Sequence, residues 1–213
     1  MNVVFLGVSS DDKKFFILCL AKIISCFRKV VVYSTTPYGC SKENQYDFCG
    51  IEIHLINKDD ALGALPEEEN INFIDIEEYM PLYTSFKTVA VCETSRCKLE
   101  QVVQSINIFA SEDRSRDIFL VYLNILEYCR INEKYLDVFL EKELLSSVLI
   151  SHKSIFVFEE ENRIIMTESL FNERLPIKKL TKSFRLSLMN MARVLMGLEQ
   201  KEAKRLLKKA ERG

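Results

Sequence analysis

Val3-Val4-Phe5-Leu6-Gly7-Val8-Ser9-Ser10-Asp11-Asp12-Lys13-Lys14-Phe15 is the stretch on which the fold turns. Four apolar residues read as a buried strand. Gly7 and a few small polar residues make a turn, and a helix-like run opens behind them. A phosphate-binding loop in a nucleotide-handling α/β protein has this order of strand, turn and helix. The glycines of such a loop are missing after Gly7, and two aspartates stand in their place. Three readings follow: a working nucleotide hydrolase, a relic of one, or an unrelated α/β protein.

Outward from this stretch, strand-like and helix-like runs alternate. Residues 3–8 read as a strand. Residues 12–27 read as a helix with Phe16, Leu20, Ile23 and Phe27 on one face. Further strands are expected at 30–34, 51–56, 71–76, 87–93, 117–123 and 153–159. A turn-rich stretch fills 35–50, and a loop fills 57–70. Helices are expected after residue 93, aligned on Leu99, Val102, Val103 and Ile106, and over 132–146. A last long helix carries the stripe Leu180, Phe184, Leu188, Met191, Leu195 and Leu198. Several strands are unbroken apolar runs rather than alternating ones, which marks a sheet covered on both faces and therefore parallel. Alternating strands and helices then give a doubly wound α/β fold: one domain with a mostly parallel central sheet flanked by helices. The expected division is an α/β domain over 1–198 and a basic helical tail over 199–213.

Composition supports this reading. A chain of 213 residues, 48% of them hydrophobic, suits one domain with a full core. The net charge of -2 gives no general attraction to nucleic acid, so that partner class is not expected. The seven cysteines form no CxxC pair, and two histidines are too few to complete ordinary zinc sites, so reduced, buried thiols are expected. Charges at Asp11, Asp12, Lys13 and Lys14 interrupt the first apolar run too early for a signal peptide. No apolar run reaches the roughly 18 residues of a membrane span. A cytoplasmic location follows as the expectation, with contact at the inner face of the membrane as an addition to it.

The residues at the strand ends resemble the ParA/MinD superfamily. These are deviant Walker-motif ATPases with a P-loop fold, bacterial positioning proteins that include pilus-positioning TadZ-like members. Val89-Ala-Val-Cys-Glu-Thr-Ser-Arg-Cys-Lys-Leu-Glu-Gln101 is similar to the family's strand and helix beside the nucleotide. Phe119-Leu-Val-Tyr-Leu-Asn124 resembles the strand whose final asparagine contacts the base. Phe156-Val-Phe-Glu-Glu-Glu-Asn-Arg163 follows the strand and acidic loop that pack near the base. Leu175-Pro-Ile-Lys-Lys-Leu-Thr-Lys-Ser-Phe184 looks like the start of the last helix.

The same resemblance lays the family's phosphate loop, Lys-Gly-Gly-x-Gly-Lys-Thr, on residues 8–14. Only Lys13 matches, at the phosphate-binding lysine. Val8 replaces the signature lysine, Ser9, Ser10 and Asp12 replace glycines, and Lys14 replaces the magnesium-binding threonine. A phosphate loop works by aiming backbone N–H groups and a helix N-terminus at an anion. Here Ser10, Asp11 and Asp12 are expected to cap the helix themselves, each worth about 0.5–2 kcal/mol. The two aspartates would then stand in for the phosphates. At the second family motif, Asp-x-Asp-Pro becomes Ser34-Thr-Thr-Pro37, with both carboxylates gone. The Walker B aspartate survives as Asp75.

The resemblance thus implies a catalytically degenerate relative, a pseudo-ATPase acting as an interaction or positioning scaffold for pilus, secretion, conjugation or division machinery. No cofactor is expected in that reading. The alternatives are an active, atypical ATPase of the same superfamily, and an unrelated α/β ligand-binding protein. In the first of these ATP and magnesium are the cofactors, Lys13 and Asn124 bind the nucleotide and Asp75 holds the metal. Against these roles stand plainer ones: a solvated lysine at a helix start, a strand-end turn former, and a carboxylate in an acidic run with Glu77 and Glu78. Glu159, Glu160 and Glu161 read as a solvated loop. Ser34, Thr35 and Thr36 lack a neighbouring histidine, and His54 and His152 show no triad context. Protein partners of a larger assembly are expected. The family's face-to-face homodimer either forms here without ATP or does not form. The tail carries Lys201, Lys204, Arg205, Lys208, Lys209 and Arg212 with Leu198, Leu206 and Leu207, which allows a weak contact with anionic lipid.

Overall fold

The structure is a computed structural model, and it describes residues 1–39, 43–57, 69–80, 86–111 and 117–213. Most of the loop expected over 57–70, and Cys40, lie outside the described residues.

Eight strands form one sheet: β1 Asn2–Leu6, β2 Val30–Ser34, β3 Gln45–Phe48, β4 Ile51–Leu55, β5 Ile71–Ile76, β6 Lys87–Glu93, β7 Asp117–Ile125 and β8 Leu149–Val157. Their order is β3-β4-β2-β5-β1-β6-β7-β8. Every neighbouring pair is parallel except the β3–β4 hairpin. The apolar runs at the centre are buried throughout: Val3, Val4, Phe5 and Leu6 of β1 are each 0% exposed. That is the state of a parallel strand with helices on both faces.

The helices divide between the two faces. α2 (Arg96–Ser111) and α3 (Glu133–Glu143) cover one core, built on Leu99, Val102, Ile106, Leu136 and Leu140. α1 (Asp11–Ser25), α4 (Glu160–Asn172), α5 (Lys182–Met196) and α6 (Gln200–Ala210) share the other. α1 is apolar on nearly all sides because it lies under α4, α5 and α6 as well as against the sheet. Aromatic edges hold this layer: Phe156 meets Phe16 at 5.2 Å and Phe184 at 4.9 Å between ring centres.

Four local features differ from the sequence expectations. β3 lies inside the stretch read as turns. It is short and half exposed, with Gln45 and Asp47 alternating with Tyr46 and Phe48, so it shows no apolar run. α4 occupies the segment where Glu159, Glu160 and Glu161 suggested a loop, and its acids begin a helix. The expected last helix is two: Gly197 takes φ 64, ends α5 with a left-handed cap, and turns the chain into α6. Phe27 falls beyond α1 and is 51% exposed, because the helix stops at Ser25.

α6 places Ala203, Leu206, Leu207 and Ala210 in the core shared with α1. Lys209 Nζ donates to the Cys26 carbonyl at 3.1 Å, and Arg185 pairs with Glu211. The apolar side of the tail is therefore spent inside the protein. What remains outside is a basic face with no apolar wedge. Among the described residues no helix is long and apolar enough to cross a membrane.

Candidate functional site

β1 is where the strand order reverses, with β5 on one side and β6 on the other. The loop after β1 emerges between the carboxyl ends of these two strands, the place where doubly wound sheets bind ligands. Gly7 begins the loop at φ 144. A Cβ there would lie 2.6 Å from the Val91 carbonyl oxygen of β6, so the close passage of two backbones requires glycine. Ser10 is the N-cap of α1: its Oγ accepts the Lys13 N–H at 3.1 Å.

Lys13 is neither a solvated lysine nor a free cation facing the loop's outer side. Its side chain is 0% exposed. Nζ donates to the Gly7 carbonyl at 2.6 Å and to the Ile76 carbonyl at 3.0 Å, and lies 2.6 Å from Asp75 Oδ1. The ammonium approaches Oδ1 without the directionality of a hydrogen bond, so this contact is an ion pair. The other oxygen, Oδ2, accepts from the Tyr38 hydroxyl at 2.7 Å and lies 3.3 Å from Ser34 Oγ. Burial, and after it the Asp75 carboxylate, push the Tyr38 phenol well above its ordinary range, so it stays protonated and donates. Asp75 is thus a buried carboxylate, 2% exposed, with its partners inside the protein.

The outer side of the loop is held by two other carboxylates. The Ser9 N–H donates to Glu77 Oε1 at 2.8 Å, just past the end of β5. The Ser10 hydroxyl donates to Glu93 Oε1 at 2.6 Å, at the end of β6, and Lys98 Nζ donates to Glu93 Oε2 at 2.7 Å. Ser9 Oγ and Thr36 Oγ1 share a hydrogen bond of 2.8 Å, tying the loop to the turn after β2. The expectation that Asp11 and Asp12 stand in for phosphates is corrected here. Asp11 is exposed in the first turn, and Asp12 turns away to Arg163, whose Nη1 donates to both its oxygens at 2.8 and 3.0 Å. The anions at the loop are Glu77 and Glu93. The sequence marks Glu77 only as part of an acidic run and gives Glu93 no role, because their partners Ser9 and Ser10 are distant in the chain.

Asn124 lies at the end of β7 with φ 56, half-buried. It borders a cleft between β7, α4 and α1, lined also by Asp12, Phe15, Arg163 and Phe184. The free volume there is about 20 Å³, room for about one water molecule. Lys13 and Asp75 meet; Asn124 stands apart from them. Lys14 does not join the loop's polar network; its Nζ lies 5.9 Å from the centre of the Tyr38 ring. Ser34 has no catalytic histidine, since His54 pairs with Glu52 and His152 with Ser154.

The fold and the position of this loop define a P-loop-type α/β protein. Solved structures share this fold. The MinD cell division protein of Aquifex aeolicus superposes with a TM-score of 0.55 at 13% identity, covering 93% of this chain and 98% of that one. The MinC:MinD cell division protein complex of the same organism matches with a TM-score of 0.56 at 11% identity, covering 93% and 96%. The chain therefore has the MinD fold, and at these identities the likeness is one of fold alone. No protein-family model and no curated protein matches the chain.

Proposed function

We propose that this chain is a ParA/MinD-like protein that has given up nucleotide chemistry and serves as an interaction or positioning scaffold in a larger assembly. One observation carries the reading: the lysine that would meet a phosphate is buried on Asp75 and two main-chain carbonyls. A magnesium-bound triphosphate does not fit these residues. The Ser9 amide is already satisfied by Glu77, and Glu77 and Glu93 would face the phosphates with like charge. Lys14 offers magnesium no oxygen. The chain is then a pseudo-ATPase, without ATP or magnesium as cofactors.

Protein partners are the natural ligands of such a frame, and the MinC:MinD complex is one in which a protein of this fold meets a partner. The chain is proposed to act in the cytoplasm. Contact of α6 with an anionic membrane would be electrostatic only, since Leu206 and Leu207 are committed to the core.

Calorimetry and thermal melting with millimolar ATP and magnesium test the reading. A ligand at a hundred times its Kd adds about 2.7 kcal/mol to native stability, so a bound nucleotide would be plain in the Tm. The expected result is no heat and no shift. Magnesium-dependent binding or turnover that Lys13→Ala abolishes would overturn it in favour of an atypical ATPase using Lys13, Asp75 and Asn124.

A further inference from the structure

β8 is the last strand of the sheet. It pairs with β7 on one side and, among the described residues, with no strand on the other. Its two halves differ. In the second half the Ser187 hydroxyl of α5 donates to the Ile155 carbonyl at 3.1 Å, which closes that part of the edge. The first half carries Leu149 at 60% exposure and Ile150 at 47%, with no proline and no charge before Lys153. Exposed apolar residues on an open edge are what proteins ordinarily avoid.

Beside this half lies a cleft of about 460 Å³ between the end of α3 and the sheet. Its floor includes Leu120, Leu144, Val148 and Leu149, and Asp137, Glu141 and Lys153 stand at its rim. Glu133, Asp137 and Glu141 succeed one another along α3 at one-turn spacing. Lys153 Nζ answers two of them, at 2.6 Å from Glu133 Oε1 and 2.8 Å from Asp137 Oδ2. Glu141 is exposed and, among the described residues, has no ion-pair partner. Three carboxylates against one ammonium leave this row acidic.

We propose that the first half of β8 receives an extended segment of a partner protein as an added strand of the sheet, whose apolar and basic side chains on the α3 side reach into the cleft. The open edge supplies main-chain hydrogen bonds, and of the alternate side chains that face α3 the apolar floor takes the apolar ones and the acidic row the basic ones. A second copy of this chain would bring the same carboxylates to the cleft, and like charges would meet. The bulge at Ser151, where the register with β7 shifts, breaks the regular ladder, so a short segment fits better than a long one. This surface is separate from the loop after β1, and the inference stands whether or not that loop binds nucleotide.

Fluorescence anisotropy with a labelled peptide of about nine residues, the length of β8, with threonine at every second position and valine and lysine in turn at the positions between, so that both face the cleft, tests the proposal. The peptide should bind saturably, and its counterpart with glutamate for each lysine should not. Methylation of alternate peptide amides should abolish binding, since it removes the ladder. Glu141→Lys and Leu149→Lys change exposed side chains, and circular dichroism checks that each variant is folded. Each should weaken binding about tenfold or more. Three results would overturn the inference: no binding at millimolar peptide, equal binding of the glutamate peptide, or wild-type affinity in both variants. A dimer that Leu149→Lys dissolves and the lysine peptide does not displace would assign the edge to a second copy and overturn it as well.

Discussion

The loop after β1 and the cleft at the start of β8 are both places where a parallel sheet leaves polar groups and apolar surface uncovered. They are finished in opposite ways. At the loop, three donors meet acceptors from the chain itself: Lys13 turns in to Asp75, Ser9 to Glu77, Ser10 to Glu93. At the cleft, Leu149, Ile150 and Glu141 remain open to solvent. In a fold of this kind the strand ends are the usual binding place. Here the lysine and the two serines of that place are tied to the chain's own carboxylates, and among the described residues the side edge of the sheet is left free.

The sharpest way to break this comparison is to empty the closed site. Lys13→Ala strands the Asp75 carboxylate in the core and should cost about 3–5 kcal/mol in chemical denaturation. Combining Lys13→Met with Asp75→Asn removes both charges while keeping an acceptor for Tyr38, and should cost less than Lys13→Ala alone. A loss below about 1 kcal/mol for Lys13→Ala would mean the pair behaves as a surface ion pair, and the contrast would collapse. A smaller effect is expected one step outward. Glu77→Gln keeps an acceptor for the Ser9 amide and removes its charge, so a loss of about 1–2 kcal/mol is expected. The smallest effect belongs to the open region: Leu149→Lys should leave stability within about 0.5 kcal/mol of wild type, since no packed neighbour is lost. A large loss there would show that the cleft is part of the core.

The frame of the fold was legible because its parallel strands are apolar runs between periodic helices. Val3–Leu6, Val30–Ser34 and Ile71–Ile76 announce themselves in this way. β3 was hidden because Gln45-Tyr46-Asp47-Phe48 lies at the sheet's rim with two exposed polar residues. α4 was hidden because its apolar residues point both ways: Met166 is buried while Ile164 and Phe171 stand in solvent. The site was half legible. Gly7, Ser10, Lys13 and Asp75 were marked out, but the partner of each is set by strand order rather than by local pattern.

α1 is covered late. It is apolar on almost every side, yet the helices that roof it, α5 and α6, come at the far end of the sequence, and the Lys209–Cys26 contact spans 183 residues. During synthesis this greasy segment emerges early and must wait for nearly the whole domain to follow before its outer face is shielded. Contacts so distant in the chain form slowly, and an unshielded apolar helix invites aggregation meanwhile. The price of seating the first helix at the centre of a layer is thus a long exposure, and a dependence on whatever shelters it until α6 arrives.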